Sequence, residues 1–173
     1  MLPIRDYARD ADQLGFHPVG SYEHGQFTID RDFRPLPAVY VWMIEADGAV
    51  EPVRVGQTRQ LAARFSSYNG WLRGRRWPGE RRNAREQEKA RLTKLRLGAA
   101  ARVVGLAAPD EDVRLTVESG LLQLRRPALD LNFELPDSWG RAPVRDWSAA
   151  YDAISRGSEY GRGADAVASA NGP

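Results

Sequence analysis

The sequence predicts an α+β domain with the element order ββαβα, extended at both ends. Three observations carry this. A β-branched and aromatic run at 38–44 leads into an Asp-Gly turn and a return strand; an apolar stripe at helical spacing follows; a further strand and helix come after residue 100. The chain has 173 residues, 42% hydrophobic and 28% charged, which suits one soluble globular domain with appendages. No stretch approaches the ~20 apolar residues of a membrane span. The start, Met1-Leu2-Pro3-Ile4-Arg5-Asp6, lacks the apolar run of a signal peptide, so a cytoplasmic location is expected. With no cysteine, disulfides, thiolate metal sites and cysteine redox chemistry are excluded, and any metal needs oxygen or imidazole ligands.

In chain order, Tyr7, Ala11 and Leu14 fall at i, i+4, i+7 and predict a short helix that Gly15 can end. The glycines, prolines and charges of 17–37 leave room for one short strand near Phe27-Thr28-Ile29. Residues 1–37 are therefore expected as an N-terminal extension packed on a core that spans 38–135. The core opens with the strand at 38–44, the turn Ala46-Asp47-Gly48-Ala49, and a return strand at 50–56 in which Val53 and Val55 alternate against Arg54. A helix is expected over 59–72, with Leu61, Phe65, Tyr68 and Leu72 as its apolar stripe. The basic loop 73–82 contains Trp77-Pro78-Gly79. After it, Asn83 and Glu86 suggest a capping box for a charged helix that Gly98 ends.

Residues 102–107 predict the third strand. Pro109-Asp110-Glu111-Asp112 then starts a helix that runs to about Arg125, with Val113, Val117, Leu121 and Leu124 facing the core, Glu118 beside that stripe, and Pro127 as the stop. Residues 136–156 are expected as a C-terminal extension with a short helix near 148–154, and the small, polar segment 157–173 as a disordered tail.

Charge is unevenly divided. Between Arg54 and Arg102 lie 14 Lys/Arg and 3 Asp/Glu, a local +11, while the remaining 11 basic and 20 acidic residues carry −9. A polyanion meeting the middle of the chain would feel a field that the net +2 hides, which points to nucleic acid; a solvated, arginine-rich helix is the plainer alternative.

Several residues recur in a telling order. Ala38-Val39-Tyr40 and Arg54-Val55-Gly56 bracket the hairpin, Arg64 and Tyr68 follow on the first helix, and Glu118-Ser119-Gly120-Leu121-Leu122, Arg126-Pro127 and Asn132 come later. This ordered set, over 38–132, resembles the GIY-YIG nucleases. The stretch from Gln57 to Tyr68 is similar to the N-terminal nuclease module of bacterial excision-repair nucleases. The resemblance implies an α/β sandwich with a three-stranded antiparallel sheet flanked by helices. It also implies metal-dependent DNA cleavage in which Tyr40 helps accept the proton of the attacking water, Arg64 contacts the scissile phosphate, and Glu118 is the sole protein ligand of one Mg²⁺ or Mn²⁺. Arg54 stands where the family has its second tyrosine, Gln57 where the repair branch has lysine, and the family spacing from the proline falls on Asp130 instead of Asn132.

Each residue type suits its implied task. A tyrosine phenol, of ordinary pKa ~10, accepts a proton only if neighbouring cations acidify it. The forked, permanently charged guanidinium of Arg64 matches two phosphate oxygens, and a carboxylate suits a hard ion that keeps its waters. Tyr68, one turn beyond Arg64, can reach the same phosphate, but it also completes the apolar stripe. Arg59, Arg73, Arg75, Arg76, Arg81, Arg82 and Asn132 are candidate DNA contacts. Trp77 is either a base-stacking residue or a cover for the core. His17 and His24 have no ligand partner at a convincing spacing and read as structural or exposed. The expected partner is DNA, with a homodimer or a larger defence, repair or phage assembly as the setting. The rival readings are a DNA-binding module with this fold but without hydrolysis, and an RNA-acting or unrelated basic protein.

Overall fold

The computed structural model describes residues 15–46, 48–125 and 131–133. Five strands form one antiparallel sheet: β1 (His17–Glu23), β2 (Gln26–Ile29), β3 (Ala38–Ala46), β4 (Ala49–Thr58) and β5 (Ala100–Ala107), in the order β2-β1-β5-β3-β4. Three helices accompany them: α1 (Leu61–Leu72), α2 (Glu80–Leu97) and α3 (Glu111–Arg125). Two expectations are thereby corrected. The sheet is five-stranded, not three-stranded, because the segment before residue 38 adds β1 and β2 to it, and the chain order over the core is ββααβα: the charged helix expected after the basic loop forms as α2, an element that ββαβα left out. The helices expected at 7–14 and 148–154, the stop at Pro127 and the tail at 157–173 lie outside the described residues.

The segment 17–37 misled because its glycines are packing requirements inside a hairpin. His24 and Gly25, at φ 51° and 83°, make a two-residue turn between Glu23 and Gln26, the conformation that suits the twist of paired strands. A Cβ at Gly20 would fall on the Thr28 carbonyl, so glycine there reports close backbone approach. A register shift between Pro18 and Gly20 interrupts the period of two that would have revealed β1. Its long-range partner, β5, supplies the pairing that local sequence cannot signal.

β3 is buried along Ala38–Ile44 because alternate residues feed two cores. Tyr40, Trp42 and Ile44 join Phe27, Leu61, Phe65, Leu72, Ala90 and Leu97 on the face covered by α1 and α2. Val39, Val41 and Met43 join Val117, Leu121 and Leu122 on the face covered by α3. An aromatic cluster ties the N-terminal hairpin to this arrangement: Phe27 stands 4.5 Å from Trp42 and 5.1 Å from Phe65. Such pairs add about 0.5–1.5 kcal/mol each beyond their burial.

Both sheet edges are closed by an asparagine amide. On β2, the Phe27 N–H donates to Asn69 Oδ1 at 2.7 Å and Asn69 Nδ2 donates to the Phe27 carbonyl at 2.8 Å. On β4, the Val55 N–H donates to Asn132 Oδ1 at 2.9 Å and Asn132 Nδ2 to the Val55 carbonyl at 2.8 Å. Each amide imitates one rung of a neighbouring strand and removes an exposed pairing site. Asn69 thereby fixes α1 against the sheet, and Asn132 lays residues 131–133 along β4, where the Leu131 N–H also donates to the Val53 carbonyl.

Candidate functional site

A cleft of about 440 Å³ opens at the β4 edge, where α1, α2, α3 and the segment 131–133 converge. Of the residues singled out by sequence, Arg54, Arg64, Tyr68, Glu118, Arg75, Trp77 and Asn132 line it. Arg73, Arg76, Arg81 and Arg82 are exposed elsewhere on the basic segment, and Arg59 is held by Glu111 at 2.6 Å.

The position of Arg54 depends on a bulge. The β3–β4 register shifts between Trp42 and Met43, so that Trp42 faces Arg54 but Met43 faces Pro52. Val53 is the extra residue, and Val53 and Arg54 consequently share the α1/α2 face while Val55 points to the other. The expected alternation of Val53 and Val55 against Arg54 is corrected accordingly. The Arg54 guanidinium lies 5.2 Å from the Trp42 ring and 5.3 Å from the Tyr68 ring, and Nη1 donates to the Leu131 carbonyl at 2.5 Å. Burial opposes its charge, but Tyr68 and Tyr40 hold it above the ordinary arginine value.

Tyr40 lies behind the cleft wall, at 1% exposure, with its hydroxyl 2.5 Å from that of Tyr68. Gly56, its cross-strand partner, makes this possible, since a Cβ there would collide with the Tyr40 phenol. Burial raises the Tyr40 pKa well above its usual value and Tyr68 adds to the shift; Arg54 and Arg64 pull against it without prevailing. The expectation of a net acidified phenol at Tyr40 is thus reversed, because desolvation outweighs the two cations. Tyr68, half-buried, is the tyrosine that meets the cleft.

Glu118 reaches the cleft from α3, whose first turn is capped by Asp110: Oδ1 accepts the N–H groups of Asp112 at 2.8 Å and Val113 at 3.1 Å. Burial raises the Glu118 pKa, opposed by Arg54, Arg64 and the backbone N–H of Gln57. Gln57 is in turn tied to Arg114, whose Nε donates to Gln57 Oε1 at 3.3 Å while Nη1 donates to the carbonyls of Ala108 at 2.8 Å and Pro109 at 2.7 Å. Arg114, 2% exposed, thus locks the start of α3 to β4 and sets the depth of Glu118.

Sequence reasoning missed Trp71, Glu86, Lys89 and Phe133 as cleft residues. Glu86 and Lys89, paired at 3.4 Å, share one face of α2, and their spacing of three was a usable signal. The capping box hid it. In the structure Gly79 precedes α2, and Asn83 Oδ1 instead accepts the Trp77 N–H at 3.2 Å. Phe133 sent no signal, being placed by the Asn132 clamp. Asn132 itself spends both halves of its amide on Val55, so it builds the wall of the cleft.

Among the described residues no helix is long and apolar enough to cross a membrane. Set against known protein families, curated proteins and solved structures, the chain matches none.

Proposed function

We propose that this chain is a metal-dependent DNA endonuclease that hydrolyses phosphodiester bonds in the manner of the GIY-YIG nucleases it resembles. One observation carries the reading: Arg54, Arg64, Tyr68 and Glu118, drawn from β4, α1 and α3, line a single cleft, with Tyr40 one hydrogen bond behind. These residues were singled out by their order in the chain, and their convergence supports that choice.

The division of labour follows from exposure and charge. Arg64, exposed on α1, meets the non-bridging oxygens where negative charge grows as water attacks phosphorus. Tyr68 Oη, at the cleft, acts in its phenolate form, taking the proton of that water and becoming a neutral phenol. Tyr40 stays protonated because it is buried, so its O–H donates to Tyr68 Oη and, with Arg54 over the Tyr68 ring, stabilises the negative charge that oxygen carries before the proton arrives. Glu118 suits a hydrated divalent ion. It is a half-buried carboxylate whose charge burial opposes. Among the described residues no group of three or more His, Asp or Glu surrounds a common point, so water would fill most of the ion's shell. Bound to Glu118, Mg²⁺ or Mn²⁺ supplies Lewis-acid stabilisation of the phosphoryl oxygens.

A second reading, a DNA-binding module without hydrolysis, is favoured by the burial of Tyr40 and by Arg54 in the place of a tyrosine. Incubation of supercoiled plasmid with Mg²⁺ or Mn²⁺ separates the two. The wild type should nick the plasmid, and Glu118→Gln should bind DNA without cutting it. Wild type that binds but cuts in neither metal favours the second reading, and Glu118→Gln that cuts at the wild-type rate removes Glu118 from the mechanism.

A further inference from the structure

Two guanidinium groups share one indole in the loop between α1 and α2. Arg82 lies 4.6 Å and Arg75 5.3 Å from the Trp77 ring centroid. Among the described residues neither meets a carboxylate, whereas Arg59, Arg85, Arg91, Arg96 and Arg102 each do. The loop is built to hold this grouping. Gly74 and Gly79, at φ 88° and 87°, flank the loop segment that carries Arg75 and Trp77, and Arg82 comes from the first turn of α2; the Arg75 N–H donates to the Gly70 carbonyl at 3.0 Å, and the Trp77 N–H to Asn83 Oδ1 at 3.2 Å. Two cations held on one ring repel each other, and an anion between them relieves that repulsion.

We propose that Trp77 holds Arg75 and Arg82 as a two-guanidinium clamp for a DNA phosphate, a second contact beside the one assigned to Arg64. Arg75 and Trp77 line the same cleft as Arg64 and Glu118, so a strand crossing that cleft passes the clamp. Planar, permanently charged forks match phosphate oxygens better than any other side chain. The inference rests on the nuclease reading for the identity of its ligand, and it makes Trp77 a positioning residue that acts through the two arginines.

The test is the salt dependence of binding to a fluorescein-labelled DNA duplex, measured with the full chain and without divalent cations. Each neutralised phosphate contributes ~0.9 to the slope of log affinity against log salt. The double variant Arg75→Gln/Arg82→Gln, altered at two exposed side chains, should therefore lose about 1 from the slope with an unchanged melting temperature. Trp77→Leu should lose the same amount, and adding it to the double variant should weaken binding no further. A triple variant weaker than the double by roughly tenfold would assign base stacking to Trp77 and overturn the clamp. An unchanged slope in the double variant also overturns it, while plasmid nicking by that variant leaves the nuclease reading standing. Wild type with no affinity for DNA at low salt overturns both, and tighter binding of single-stranded RNA of equal length overturns DNA as the ligand.

Discussion

Gly56→Ala tests whether the tyrosine pair depends on bare backbone in β4. Gly56 lies across from Tyr40 in the β3–β4 register, and a Cβ built there collides with the Tyr40 hydroxyl and Cζ. Two effects oppose each other. Alanine restricts the unfolded chain and alone favours the strand by ~0.5–1 kcal/mol. Against this, overpacking costs about 1–3 kcal/mol, and displacing the phenol forfeits its bond to Tyr68, worth roughly 0.5–1.5 kcal/mol. The ring has little room to retreat, because the Phe65 and Tyr68 rings stand 5.1 and 6.2 Å away. Sterics win, for a net loss of about 1–3 kcal/mol. Urea denaturation of Gly56→Ala, Tyr40→Phe and the double variant measures this. The double variant should recover part of the loss, because the atom nearest the new methyl is gone, giving a coupling of about 0.5–1 kcal/mol. A Gly56→Ala protein as stable as the wild type, or strict additivity with Tyr40→Phe, would refute the reasoning.

Other outcomes follow from the same contacts. Because burial lifts the Glu118 pKa above its ordinary 4.5, the native protein binds that proton more tightly than the unfolded chain. The stability it contributes is full below 4.5 and lost as pH rises through the raised value, so Glu118→Gln should gain on the wild type over that interval. A stability difference that stays flat from about pH 4 to 8 would remove the burial argument. Asn132→Ala and Asn69→Ala each delete two backbone bonds at a sheet edge, and each should cost about 1–3 kcal/mol in urea denaturation. The Asn132 variant should in addition lose plasmid nicking, since residues 131–133 hold Arg54; full nicking with lowered stability would restrict Asn132 to the edge alone. Arg114→Met should destabilise by about 2–4 kcal/mol, and Arg114→Lys should not restore it, because one ammonium cannot span the Gln57, Ala108 and Pro109 acceptors. A lysine variant of wild-type stability would show that charge alone suffices there.

Local chemistry alone determined the hairpin at 38–58, the stripe of Leu61, Phe65 and Leu72, the cap at Asp110, and the position of Glu118 beside the α3 core face. Periodicity, turn residues and capping act within a few positions, and so are written in the chain. Tertiary structure decided the rest. β1 is a strand because β5 pairs with it, despite glycines that read as turns. Arg54 enters the cleft because one bulge breaks the period of two, and Tyr40 becomes a buried donor behind Tyr68 because Gly56 leaves room for its phenol. Asn83 holds Trp77 instead of capping its own helix, which puts the basic loop in place. In each case the outcome depends on a partner distant in sequence or on a shift of register, and neither is encoded in the residue's own neighbourhood.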